Sequence, residues 1–506
     1  MANRYVPTSR NKITQNFYRY YTADTNNNYS LYQNEAQNVS NGMFYETSLG
    51  HLIINQLTTK VVGQGLTPMA SPDTKLLGWS PEQLKNFQEQ AESLYRLIAH
   101  NTGFSWNGKN NFLILQQMAF KMILINGDIL LHRGYKKKDG TVYPYLQIIS
   151  GKMVGNPNGA QDTKNLIGGV ELDSNGVEQG YYIMAVDENL NDTFAYKRVS
   201  RFNPKTKRKD YDLVHLYAPS ADQIRGIPYL MCLRDDILQI TKLKDLHLTK
   251  ALVQSLFTVF IEKTQENPGD ESFQDKVRLG LAGGDEDSNP YGNDDSAPDY
   301  ELGYGSIIEG NPGEKFVSVE SNTNADDFAT SLKSLLEIIA ASAGLSYEEM
   351  LNSYNASFSA SRATINSSEK LYKTMRDEFS KKVCNPVYEM IVDYGIMAGL
   401  IEAPGYFDSE LKKRAILTCT WTGATPTQVD PVKEVNAYAL AISNGLCTRE
   451  YASRNLYGLD FDEVAERLRK EQETITTIDE EEDKQAKRES QTEEEEEEEG
   501  DGSENE

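Results

Sequence analysis

Residues 214–263 read VHLYAPSADQIRGIPYLMCLRDDILQITKLKDLHLTKALVQSLFTVFIEK, and the fold turns on how they are read. The stretch continues a strand in which Leu213, His215 and Tyr217 alternate. It then bends through Gly226 and Pro228. From 231 to 261 there is neither Gly nor Pro, which predicts one helix roughly 45 Å long at ~1.5 Å per residue. Leu233, Ile237, Ile240, Leu243 and Leu246/His247 recur at three- and four-residue spacing and mark one apolar stripe. Arg234, Asp235, Lys242, Lys244, Asp245 and Lys250 take the other faces. After Lys250 the pattern ALVQSLFTVFI is apolar nearly all round, so that half is either buried on several sides or a strand near its end. Taken alone, the stretch is a long core helix of a large domain.

The totals set the frame. A chain of 506 residues exceeds one minimal core, so two to four structural units are expected. Hydrophobic content of 39% and charged content of 25% fit a soluble globular protein. No apolar run reaches a membrane-spanning length, and MANRYVPTSRNK leads into no signal-peptide core, so synthesis and retention in the cytoplasm are expected. Cys232, Cys384, Cys419 and Cys447 lack the spacing of a disulfide framework or a zinc site. The net charge is −24, and residues 479–506 alone carry −13, leaving −11 on the rest. Such a field repels nucleic acid and disfavours a conventional DNA-binding protein. It does not disfavour a protein that lets DNA pass without gripping it.

Along the chain, residues 1–50 are polar, with a helical signal only from Asn38; 48–59 reads as a helix, and Val61-Val62 before Gly63 and Gly65 as a short strand with a tight turn. Ser80-Pro81 starts a helix to His100, a second helix covers 111–125, and Gly127-Asp128 turns into a strand. Residues 142–216 look mostly β, with Asn175-Gly176 as a two-residue hairpin signal. Residues 264–313 read as a loop or insertion; its stretch 281–305 holds seven acidic and no basic residues. Asp285, Asp287 and Asn289 have the alternate spacing of a calcium loop, but Pro290 replaces its glycine. Helical pattern resumes at Asp326 and closes at Gly344, and a polar loop follows. A long helix over 361–398 is broken near Asn385-Pro386, RAILTCTWTG reads as a strand, and short helices precede a Glu-rich tail.

Enzymatic motifs are missing. There is no GxxxxGK[ST] loop, no GxGxxG after a strand and no GxSxG elbow. His51, His100, His132, His215 and His247 never take metal-ligand spacing, and no carboxylate pair stands out as an acid/base couple. No catalytic residue, metal or cofactor is assigned, and an enzyme is not expected.

At the strand-to-helix junction the chain resembles the lambda-like family of tailed-phage portal proteins. Members carry a His in a strand and then a Gln-x-Arg-Gly-hydrophobic-Ser/Pro run that opens a long helix; here these are His215, Gln223, Arg225, Gly226, Ile227 and Pro228. VVGQGLTP at 61–68 is similar to the family's Val-Val-Gly-x-Gly turn, Gly127-Asp128 to its Asp-Gly-Glu step, and GGVELDSNGVEQGYY at 168–182 to its Gly-Val-Glu hairpin. AASAGLSYEEMLNSYNASFSASR at 340–362 resembles the Ala-x-Gly-Val-Ser-Tyr-Glu segment with its Tyr-Ser-Ser-x-Arg loop, and 421–451 resembles the Trp-x-Gly, Asp-Pro-x-Lys-Glu, Gly-Leu-x-Thr finish. Six short matches fall in the right order over residues 40–465. The acidic insertion at 283–304, the terminal Glu run and Asn352, where the family often has Asp, depart from the pattern.

The resemblance implies an α+β portal-type fold assembling into a ring, usually of twelve subunits, at one vertex of the virion capsid. Double-stranded DNA passes through it, the terminase large subunit and head-tail adaptor dock on it, and major capsid and scaffolding proteins surround it; no membrane is involved. Assembly is expected in the host cytoplasm. Residues 1–229 would be an N-terminal wing region, 230–262 a first stem helix, 263–325 the clip with its acidic insertion, and 326–344 a second stem helix. Residues 345–361 would form the tunnel loop, 362–430 a long kinked helix and wing strand, 431–475 the crown and 476–506 a disordered acidic tail. Small polar groups at Asn352, Ser353, Asn355, Ser357, Ser359 and Ser361 suit a surface that touches passing DNA without fixing a register. Lys242, Lys244 and Lys250 are candidates for weak phosphate contacts. The alternative from another class is an acidic structural scaffold or adaptor of a virion, with the Glu-rich tail as its arm and no DNA channel.

Overall fold

Side-chain caps and glycine stops set the helix ends in the first part of the chain. Helix α1 spans Thr25–Glu46 and α2 spans Ser48–Val61, with the Thr47 hydroxyl accepting from Gly50 N between them. Helix α3 (Pro81–Ala99) opens with a full capping box: Ser80 Oγ accepts from Gln83 N, and Gln83 Oε1 accepts from Ser80 N. Asn111 caps α4 (Phe112–Asn126), and Gly127 stops it at φ 85°. The computed structural model describes residues 25–138, 140–185, 195–201, 213–217, 223–256, 260–263, 314–317, 325–352, 358–423, 431–459, 461 and 464–475.

Two early expectations are corrected. Helix α1 begins at Thr25 rather than near Asn38, and its buried residues are Gln33, Ala36, Gln37 and Ser40, followed by Met43 and Phe44 in its last turn. Between Gln33 and Ser40 the inner face is polar apart from Ala36, which leaves little apolar periodicity to read there. Val61 ends α2 and Val62 caps it, both fully buried, so packing overrides the β preference of the pair. The strand comes later, as β1 (Thr67–Ala70).

Two antiparallel sheets follow. In the first, β2 (Asp128–Lys138) lies between β3 (Thr141–Ser150) and β8 (Leu213–Tyr217), with Asp128 opposite Tyr217 and Leu130 opposite His215. The second runs in order through β4 (Leu166–Ile167), β5 (Val170–Leu172), β6 (Glu178–Ala185) and β7 (Ala195–Ser200). Leu130 of the first sheet is buried with Val154 and with Val170, Leu172 and Tyr181 of the second. The Asn175-Gly176 turn is where it was expected, but its loop is longer than two residues. Of the pair only Gly176 has positive φ, at 79°, while Asp173 N donates to Val177 O and Gly176 N donates to Asp173 O. A two-residue type I′ turn needs positive φ at both centres, so a three-residue loop forms instead.

The chain divides into two units, Met1–Arg234 with Ala340–Glu506, and Asp235–Ile339. A 3-10 turn at Tyr229–Leu233 leads into helix α5 (Arg234–Leu256), which is about 35 Å long. Leu233, Ile237 and Ile240 are buried, whereas Leu246 and Leu248 are exposed. The single helix expected to 261 is therefore shorter, and Phe260–Lys263 is a strand, β9, the second of the two readings its sequence allowed. It pairs with β10 (Glu314–Val317), which sequence periodicity did not reveal. Helix α6 spans Ala325–Ser342 and ends on Gly344 at φ 69°, with Leu345 N donating to Ala340 O. The His247 ring stacks on Phe328 at 3.8 Å. Asp285, Asp287 and Asn289 lie outside the described residues.

The remainder of the first unit is mostly helical: α7 (Tyr347–Leu351), α8 (Phe358–Phe379), α9 (Asn385–Met397), α10 (Glu410–Ile416), α11 (Pro431–Ser443) and α12 (Arg449–Tyr457). The break expected near Asn385-Pro386 is a π turn, Ser380–Cys384, between α8 and α9. The wider turn sits where Pro386 lacks an N–H and crowds the preceding carbonyls. The strand expected over RAILTCTWTG shrinks to β11 (Cys419–Thr422), paired with β1, because Arg414–Ile416 complete α10 behind the Ser409 cap.

Candidate functional site

Asp128 opens β2 directly after Gly127, and its carboxylate is fully buried. Arg225, from the turn after β8, meets it with one edge of the guanidinium: Nε donates to Oδ2 at 2.6 Å and Nη2 to Oδ1 at 3.3 Å. The remaining donors reach carbonyls, Nη2 to Gly151 at 2.7 Å and Nη1 to Val154 at 3.1 Å and to Gly168. Gly226 N donates to Asp128 Oδ2 at 3.2 Å, and Gln223 Nε2 donates to Arg225 O at 2.6 Å. The backbones at Gly127 and Gly226 are so close that a Cβ on either would collide with the other, and a Cβ on Gly151 would strike the Asp128 carboxylate. This is why glycine is needed at these places.

A second layer completes the cluster. His215 Nε2 lies 3.2 Å from Asp128 Oδ2, and its Nδ1 lies 2.8 Å from Glu178 Oε1. Glu178 Oε2 accepts from Tyr181 OH at 2.9 Å and from Arg201 Nη1 at 3.0 Å. Burial by itself raises the Asp128 carboxyl, but Arg225 and the His215 hydrogen bond outweigh it and hold the group well below the usual carboxylate range. Glu178 is likewise lowered, with burial opposed by His215, Tyr181 and Arg201. Burial pulls the His215 imidazole down, yet its bonds to Asp128 and Glu178 leave it raised. Two acids, two arginines and a histidine thus answer one another inside the protein, the arrangement of a joint between chain segments.

Of the residues marked in the sequence, His215, Gln223, Arg225 and Gly226 converge here. Asp128 had been read as a turn residue and as part of the family's Asp-Gly-Glu step, with no site role. Glu178, Tyr181 and Arg201 had no assigned role; an acid heading the apolar strand Asp-Ile-Leu-Leu was the available signal. The described ones among the candidate DNA-facing residues are Asn352, Ser359 and Ser361. Residues 347–351 form α7, Asn352 caps it in the left-handed region at φ 51°, and Ser359 and Ser361 belong to the start of α8. Ser353, Asn355 and Ser357 lie outside the described residues. The part read as polar loop is helical because Ser346 Oγ caps Glu349 N while the buried Glu349 carboxylate accepts from Tyr372 OH at 3.0 Å and faces Lys60 Nζ at 3.4 Å. Lys242 and Lys244 are exposed on α5, and Lys250 lies on the same helix. Among the described residues no group of three or more His, Cys, Asp or Glu is arranged to hold a metal, and no helix is long and apolar enough to cross a membrane.

Within this mixed helix-and-sheet fold the cluster ties β2, β6 and β8 to the turn at residues 223–226. The family model described as phage portal protein, lambda family, matches residues 22–376, and the chain belongs to that family, whose members form the portal of the capsid vertex. Portal protein B of Escherichia phage lambda is 22% identical over 428 residues, covering 82% of this chain and 79% of that protein. The portal protein of Escherichia phage N15 is 23% identical over 433 residues, with coverage of 82% and 79%. Among solved structures, the neck of an empty GTA particle computed with C6 symmetry aligns at a TM-score of 0.44 and 12% identity, covering 84% of this chain and 94% of that one. The neck of the native GTA particle computed with C12 symmetry aligns at 0.41 and 12% identity, with coverage of 84% and 93%.

Proposed function

We propose that twelve copies of this chain form a ring at the capsid's portal vertex and that double-stranded DNA enters and leaves the virion through its axis. The observation that carries this reading is membership of the portal family over residues 22–376, with the family's His, Arg and Gly positions built into one buried joint. Exposed Leu246 and Leu248 on α5 and Ile338 on α6 are apolar groups suited to contact between neighbouring copies. Helices α5 and α6 are the stem in this reading, the segment between them the clip, the two sheets part of the wing, and residues 431–475 the crown. Lys242, Lys244 and Lys250 give weak phosphate contacts within an acidic wall, so DNA slides. The terminase large subunit and the head-tail adaptor dock on opposite stages of assembly, and the capsid and scaffolding proteins enclose the ring.

Deleting residues 352–359 tests the channel assignment. The expected result is intact rings whose particles package DNA poorly or lose it after packaging. Full infectivity of phage carrying the deletion contradicts a tunnel role for Asn352, Ser353, Asn355, Ser357 and Ser359.

A further inference from the structure

The hydrogen-bond geometry of His215 says more than that it is buried. Its ring bridges the two sheets: Asp128 Oδ2 belongs to β2 of the three-stranded sheet, and Glu178 Oε1 to β6 of the four-stranded one. A neutral imidazole offers one donor and one acceptor nitrogen, whereas an ionised carboxylate only accepts. With oxygens 3.2 Å and 2.8 Å from Nε2 and Nδ1, a neutral ring would turn one lone pair on a carboxylate at hydrogen-bond distance. Only the doubly protonated ring satisfies both contacts. Charged and polar groups stand on both sides of the ring. Arg225 faces Asp128 from the turn, Arg201 and Tyr181 OH take Glu178 Oε2, and the Tyr181 ring stands edge-on to the imidazole at 5.7 Å.

We propose that His215 is held as an imidazolium and acts as a proton-dependent clasp between the two sheets, so that loss of its proton loosens β6 from β2 and β8. The sign follows from linkage. A histidine raised in the folded state contributes stability that is fully present below its unfolded value of ~6.5 and is lost as pH rises through the folded value. Asp128 and Glu178 are both lowered and stay ionised over that range, so an alkaline response between these strands points to His215.

Hydrogen exchange of the assembled full-length protein between pH 6 and pH 9.5, corrected for intrinsic rates, tests the clasp. Opening of residues 178–185 and 213–217 is expected to rise by up to about tenfold per pH unit above ~6.5 and then level off. His215→Gln removes this rise, and Glu178→Gln brings the plateau to lower pH by taking away one carboxylate. A wild-type profile independent of pH overturns the proposal, as does an unchanged slope in His215→Gln, which would indicate a packing role only. Should His215→Gln fail to fold, an unmoved plateau in Glu178→Gln overturns it equally.

Discussion

At the scale of single residues, the account rests on Asp128 and Arg225. Both side chains are almost wholly buried, so removing either leaves a buried charge without its main partner. Arg225→Met is expected to cost about 3–5 kcal/mol in denaturant unfolding, and adding Asp128→Leu should recover part of the loss. The carboxylates also set the acid limit. Because Asp128 and Glu178 are lowered in the fold, their contribution is present above the ordinary carboxylate range and is lost as pH falls through their folded values. Wild-type protein should therefore lose stability steeply below pH ~4, and Asp128→Asn should start lower but fall less over the same interval. The sequence made half of this joint legible. His215, Arg225 and Gly226 stand together in a recognisable run, but their partners lie 87 residues away for Asp128 and 37 for Glu178. Pairing over such separations leaves no local periodicity, and only the fold brings the acids to the histidine.

Among the elements, those with local chemistry were legible. Ser80-Pro81, Asn111, Gly127 and Gly344 each mark a helix end seen in the structure. Ser80→Ala should cost about 1 kcal/mol through loss of the cap of α3, read from thermal unfolding. Elements whose burial contradicts their composition were hidden: α1 turns glutamines inward, and the valines 61 and 62 finish a helix. The hairpin at 173–177 shows the limit of a dipeptide signal, since Asn-Gly located the turn and not its length. Gly176→Ala should destabilise the hairpin by about 1 kcal/mol because its φ of 79° suits glycine, whereas Asn175→Ala should do little. Exchange rates within β5 and β6 would separate the two. The change from helix to strand after Leu256 was open in the sequence, because a run apolar on all sides fits either until its pairing with β10 is seen.

The whole molecule joins these scales. The totals pointed away from conventional DNA binding, and the family match over residues 22–376 makes this chain a portal protein instead. Residues 479–506 hold more than half of the net negative charge but lie beyond the family match, so their removal should leave assembly intact and reduce only contacts made by the tail. Loss of all partner binding without any ring in the parent protein would favour the adaptor reading instead. The central claim is the ring, and images of the purified 56.9 kDa chain in negative stain test it most directly. The account predicts ring-shaped particles with an axial hole and twelvefold symmetry; a stable monomer or dimer, with no ring under assembly conditions, would contradict it.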